Sequence, residues 1–264
     1  MPWPVRLLLR AAVGIQIAIV GWDAIALMEA YGLKRAQWDA REYTSMAYSL
    51  LQGELLRMPV VYEPAPYRWP SEWPLGYPAA IAGASALTGM EPFYASRWLN
   101  LGLYALTYLL LLKFFRPYAE LLFFLTWPPS LTWTVSIALS ENLFHPLQLA
   151  AIGILYQSFA DRKVPLTLPL VLILLFLTRY VGLAVGIAVG VWGLYEVIAQ
   201  RNYKKGGVLI GSAGLQALFA LAYFGWNAAQ DPAGQTGLSM RGMPMPSTFL
   251  VRTLDEVVFL RYVA

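Results

Sequence analysis

The sequence predicts an all-α polytopic membrane protein, a bundle of about seven or eight transmembrane helices with surface helices in its first outer loop. Three observations predict it. Hydrophobic residues make up 58% of the 264 and charged residues only 13%. With a mean hydropathy of +0.53, the chain has too little polar surface to coat a water-soluble globule, so the bilayer is its main solvent. Short basic clusters (Lys113/Arg116, Arg162/Lys163, Arg201/Lys204/Lys205) alternate with acidic or aromatic corners at Trp38 to Glu42, Ser140 to Asn142 and Asp231 to Thr236. The apolar runs between them approach the roughly 20 residues that a spanning helix needs.

The same observations exclude other classes. The net charge of +4 comes largely from loop-type clusters and reports topology. No basic stripe interleaves with exposed aromatics as nucleic-acid binding would require. There are no cysteines, which rules out a disulfide frame and a thiolate metal site.

The whole chain, 1–264, reads as a single membrane domain. Residues 7–31 form the first span, with Arg6 and Arg10 before it. Trp22, Asp23 and Glu29 stand where a cleavage site would have to be, so this is a retained span and not a removed signal peptide. Residues 32–92 form an outer loop with two surface helices. Between 32 and 72, Lys34, Arg35, Arg41, Arg57 and Arg68 are balanced by Asp39, Glu42, Glu54, Glu63 and Glu72. With no positive excess, this segment belongs outside. The Ala/Gly-rich stretch 73–90 is read as a surface helix, because only then do all three basic clusters fall on the cytoplasmic side. Six spans follow in 93–228: residues 93–115 run inward, 119–139 outward, 143–160 inward, 166–177 outward, 181–199 inward and 208–227 outward. Residues 229–247 form an outer loop. Residues 248–264 start a last helix carrying Arg252, Asp255, Glu256 and Arg261, a charge load that predicts a partner membrane protein completing the C-terminal side.

Candidate site residues gather on the outer side. Trp38 to Gly53 reads as an amphipathic helix, with Tyr43, Ala47, Leu50 and Leu51 on one face and Gly53 as its stop. Asp39 at its start has two accounts. It caps the helix with Glu42 in a capping box, or it is a carboxylate whose partial desolvation at the membrane boundary suits a base or cation ligand. Glu141 stands where an outward helix meets an inward one. It suits the helix dipole there, yet an ionisable group at a bundle mouth also calls for water, a partner or a substrate. His145, the single histidine, lies one helical turn on, as a packing residue or a supporting donor. Arg179 interrupts an apolar run and faces either an anion or carboxylate, or the headgroups by snorkelling. Arg68 and Arg97 are further outer-side cations.

The order of these parts resembles the GT-C superfamily of integral-membrane glycosyltransferases, in the branch of protein O-mannosyltransferases and lipid A aminoarabinose transferases. The resemblance runs over residues 5–250. It rests on an outer loop opening with Asp39, A-x-x-L-x-x-G from Ala47 to Gly53, W-P-L-G-Y-P from Trp73 to Pro78, and Gly89. R-x-L-N from Arg97 to Asn100, an S-E corner at Ser140–Glu141 and T-R-x-x-G from Thr178 to Gly182 complete it. It implies a GT-C-like bundle that moves a sugar from a polyprenyl-phosphate donor to an acceptor at the outer face of a bacterial inner (plasma) membrane, with the N-terminus cytoplasmic. Asp39 matches the family's base or metal ligand. Glu141 is its catalytic companion, and the two together could hold a divalent cation such as Mg or Mn. Arg179 or Arg68 would bind donor phosphate, with Glu42, His145 and Arg97 in support. Two departures matter. Glu72 and Trp73 stand where aminoarabinose-type relatives carry Lys, and family enzymes are usually much longer. The rival expectation is therefore a truncated or degenerate, non-catalytic GT-C-like subunit of a larger membrane complex.

Overall fold

The computed structural model describes residues 3–31, 38–54, 58–59, 67–68, 73–128, 134–161 and 164–230. Among them nine helices follow in order: α1 Trp3–Tyr31, α2 Trp38–Leu51, α3 Gly76–Thr88, α4 Pro92–Phe114, α5 Ala119–Thr126, α6 Glu141–Asp161, α7 Leu168–Thr178, α8 Gly182–Ile198 and α9 Tyr203–Gln230. One two-residue antiparallel ladder, β1 Met58–Pro59 on β2 Tyr67–Arg68, is the β structure among the described residues. Apart from that ladder the regular structure of the described residues is α-helical, as the sequence predicts. Trp3–Ala26 and Tyr203–Ala229 are long and apolar enough to cross a membrane, while Leu168–Thr178 and Gly182–Ile198 are apolar but shorter. The loop and last helix expected beyond Gln230 lie outside the described residues.

Local chemistry sets the helix limits. Gly89 takes φ 71° and donates its N–H to the Ser85 carbonyl at 2.8 Å, a left-handed stop that only glycine adopts without strain. Pro92 then opens α4, where a missing N–H costs nothing. Two short helices form in the segments that the sequence reads as surface helices. At 14 and 13 residues, α2 and α3 are each about 20 Å long, shorter than the roughly 30 Å hydrocarbon core. Ala40, Tyr43, Ala47 and Leu50 of α2 pack on Tyr77 and Ile81 of α3. Leu51, expected on that same face, is instead 41% exposed, because it is turned about 100° from Leu50.

One expected span is corrected. Residues 119–139 do not form a continuous helix: α5 ends at Thr126, and residues 134–136 form a 3-10 turn. The cause is Pro128–Pro129. A proline disfavours helical backbone in the residue before it and supplies no N–H, so the apolar run is cut after two turns.

Helix direction segregates the charged loops. Phe115 lies 5.2 Å from Tyr156 and Phe159 stacks at 4.1 Å on Trp192, which brings the ends of α4, α6 and α8 together. Lys205, at the start of α9, joins them through Glu196 at 2.8 Å. Lys113, Arg116, Arg201 and Lys204 therefore belong to one end of the bundle, hereafter the basic end. Arg162 and Lys163 lie outside the described residues. The surface helices, the start of α4, the Glu141 corner and the turn after α7 occupy the other end.

Two buried amides tie that second end together. Asn100 on α4 donates to the Val135 carbonyl at 3.1 Å and the Ile137 carbonyl at 2.8 Å, while its Oδ1 accepts the Tyr77 hydroxyl at 2.7 Å. Asn142 donates to the carbonyls of Thr134, Ile137 and Leu139 at 3.0 to 3.1 Å. Segment 134–139 has little more than one 3-10 turn of its own, closed by the Ile137 N–H on the Thr134 carbonyl at 3.1 Å, and these amides satisfy polar groups that burial would otherwise strand. Asn100→Leu is expected to cost about 2–4 kcal/mol, since the Val135 carbonyl and the Tyr77 hydroxyl lose this partner while the Ile137 carbonyl keeps Asn142, and Tyr77→Phe only about 1 kcal/mol. Thermal or denaturant unfolding of the purified variants measures both.

Candidate functional site

The candidate site is built where helices stop. Glu141 is the first residue of α6, so its carboxylate sits by the positive end of the helix dipole. The Ser140 carbonyl before it accepts the N–H groups of Leu143 and Phe144. Arg179 follows α7 directly. Its φ of −149° breaks the helix, while its N–H still bonds the Leu175 carbonyl at 2.9 Å. These two stops bring residues 38 positions apart into contact: the Arg179 Nη1 donates to Glu141 Oε1 as an ion pair.

One glycine makes the approach of the outer loop possible. A Cβ on Gly76 would lie 2.7 Å from the Leu177 carbonyl oxygen and 3.0 Å from the Thr178 nitrogen, backbone atoms that cannot yield. The W-P-L-G-Y-P stretch thus meets the start of the T-R-x-x-G stretch, more than 100 residues on, through Gly76. Gly182 serves the turn itself, since a Cβ there would lie 2.6 Å from the Leu175 carbonyl oxygen of α7. Tyr223 of α9 locks the joint by accepting the Leu75 N–H at 3.2 Å.

An aromatic wall surrounds this joint. Tyr43 meets Trp73 at 5.3 Å and Tyr77 at 5.2 Å, both edge to face, geometry favoured by the ring quadrupoles. Burial pushes the Tyr77 hydroxyl well above the ordinary phenol range, against the hydrogen bond it donates to Asn100 and the field of Arg97, and the charge of Glu141 reaches it as well. Burial raises the Tyr180 hydroxyl in the same direction. Both stay protonated at neutral pH and act as hydrogen-bond donors, not bases.

The other candidates fare differently. Asp39 is the second residue of α2 and Arg68 lies on β2, but their side chains lie outside the described residues, so neither the capping box nor the catalytic account of Asp39 is on view. Its helix begins against the right neighbours: Ala40, the next residue, is fully buried in a cluster with Ala138, Ile137 and Leu143, which flank Glu141. Glu42 is half-buried. His145 packs edge to face on Trp127 at 5.3 Å, the packing role. Arg97 is 5% exposed and bonds the Phe93 carbonyl at 2.9 Å and Ser96 Oγ at 2.7 Å, with its guanidinium 3.7 Å over the Phe93 ring. Its partners are all neutral. Its place is beside Tyr77, not in the Glu141–Arg179 pair.

Among the described residues no three His, Cys, Asp or Glu side chains gather. The Glu141 carboxylate faces the Arg179 guanidinium, and the side chain of Asp39, the other ligand expected for a divalent cation, lies outside the described residues.

Residues that sequence reasoning left without a role turn out to hold the corner: Tyr77, Asn100, Asn142, Tyr180 and Tyr223. A usable signal was present for the two asparagines, since a neutral amide within an apolar segment is expensive unless it bonds across helices. No family model, curated protein or solved structure matches the chain.

The ion pair is part-exposed, with side chains 39% accessible at Glu141 and 25% at Arg179, so solvent screening limits its contribution. A double-mutant cycle with Glu141→Gln and Arg179→Gln is expected to give a coupling of about 1 kcal/mol or less in unfolding free energy. A coupling of several kcal/mol would make the pair a structural rivet.

Proposed function

We propose that the chain is a polytopic membrane protein with a GT-C-like bundle. Its exposed apolar side chains support the membrane reading. On α1 and α9, Leu8, Ile15, Ile19, Leu215, Leu218 and Leu221 are each 49% to 71% exposed. At roughly 1.5–3 kcal/mol for each fully buried side chain, keeping these six half in water forfeits about 5–10 kcal/mol, as much as a typical domain's whole stability. Apolar solvent removes that cost. The positive-inside rule then puts the basic end and the N-terminus in the cytoplasm and the Glu141 corner outside, as in a bacterial inner membrane.

We propose further that the outer corner transfers a sugar from a polyprenyl-phosphate donor to an acceptor hydroxyl. The observation that carries this is the convergence of Glu141 and Arg179 beside the start of the Asp39 helix. In an inverting transfer the Asp39 carboxylate takes the proton of the acceptor hydroxyl. The hydroxyl oxygen bonds to the anomeric carbon as the bond to the phosphate oxygen breaks, and the lipid phosphate leaves with the electron pair. Arg179, held by Glu141, stabilises the charge developing on that phosphate. Arg97, which no described carboxylate neutralises, lends positive potential behind Tyr77, and Arg68 is a further phosphate contact.

The Glu141–Arg179 pair also favours a second reading, a non-catalytic GT-C-like subunit, because two charges that satisfy each other need no substrate. Purification separates the readings. A subunit copurifies in fixed ratio with a membrane partner and does not bind polyprenyl-phosphate sugars; an enzyme binds and turns them over alone. In membranes supplied with radiolabelled polyprenyl-phosphate sugars, Asp39→Asn is expected to abolish transfer with the fold intact, and Arg179→Gln to lower it by about 10²-fold. Wild-type turnover in purified Asp39→Asn removes that carboxylate from the chemistry.

A further inference from the structure

The described residues enclose a groove of about 750 Å³ at the basic end, between α1 and α4 and far from the Glu141 corner. Its rim and its floor differ in chemistry. Arg10, Lys113 and Arg116 supply three positive charges at the rim, while Val13, Ile17 and Leu112 form an apolar floor. Gly14 leaves that floor open, since a Cβ there would have no atom within 4 Å. Among the described residues one carboxylate answers the three cations: Glu120, 1% exposed, accepts the Arg10 Nε–H at 2.9 Å. That pair orients Arg10 and leaves the rim with a surplus of two charges. One turn earlier on α1, Arg6 buries its Nε without a hydrogen-bond partner, adding positive potential at the same end.

We propose that this groove binds an anionic phospholipid, its phosphate at Arg10, Lys113 and Arg116 and one acyl chain along Val13, Ile17 and Leu112. Charge complementarity selects the headgroup. The floor selects a lipid over a free phosphate, because a soluble anion would neutralise the rim and leave the apolar surface uncovered. Outside the groove, α1 and α4 continue with exposed Ile15, Ile19 and Leu109, so the chain passes from the floor onto the lipid-facing side without crossing polar surface. The bound lipid would also bridge α1, which is little buried by the rest of the bundle, to α4. The inference rests on the bilayer reading and is independent of the glycosyl transfer.

The test uses the full chain, purified and delipidated in neutral detergent, and reads thermal unfolding against added phosphatidylglycerol, phosphatidylcholine of the same acyl composition, or inorganic phosphate. Phosphatidylglycerol is expected to raise the midpoint saturably, and the other two not. Lys113→Gln/Arg116→Gln is expected to weaken the apparent affinity for phosphatidylglycerol about tenfold or more, while Arg201→Gln/Lys204→Gln, at the same end but outside the groove, leaves it unchanged. The proposal is overturned if phosphatidylcholine or inorganic phosphate reproduces the shift, if the groove variant keeps wild-type affinity, or if the control variant loses as much. Loss of transfer activity with this response intact, or the reverse, keeps the two proposals apart.

Discussion

Everything at the candidate site hangs on a short stretch of backbone, one 3-10 turn and the irregular residues after it. Residues 134–139 cross the end of the bundle, and Asn100 and Asn142 hold their carbonyls from both sides. Ile137 accepts from both amides. Because Asn142 is in the first turn of α6, the same bonds fix where that helix starts and hence where Glu141 projects. Because Asn100 also accepts from Tyr77, they fix how the surface helices seat on α4. One buried polar cluster thus sets the spacing of the loop carrying Asp39 and the corner carrying Glu141.

Buried polar networks are favourable only when nearly complete, and this one is paired with steric economy elsewhere. Gly76 allows the outer loop to approach α7 within backbone contact, Gly182 lets α8 turn tightly against the same helix, and the Tyr43, Trp73 and Tyr77 rings close the wall. The ion pair at the surface of this assembly contributes little to holding it. Arg179 and Glu141 are placed by the helix stops, and their charges are left to act at the mouth of the corner.

Much of this was legible in the sequence. Gly53 marks a helix stop in the sequence, and the charge alternation separates the two ends. Arg179, an arginine in an apolar run, predicted a carboxylate or anion opposite it, and a carboxylate is there. The 119–139 span was misread because an apolar window averages across Pro128–Pro129, while a helix cannot. The roles of Asn100 and Tyr77 were illegible for a different reason: their partners lie 23 to 37 positions away, and no local pattern encodes such a distance. Asp39 remains where the sequence placed it, at the start of α2.

The account's central claim is that the polar corner and the basic end face opposite sides of a bilayer. The chain has no cysteine, so single cysteines report position without background. Thr88→Cys lies at the end of α3, beside the corner, and Lys204→Cys at the start of α9; both positions are exposed. A membrane-impermeant maleimide applied to intact spheroplasts is expected to label Thr88→Cys at once and Lys204→Cys only after permeabilisation. Labelling of both from the same side, or of Lys204→Cys alone, would contradict the account.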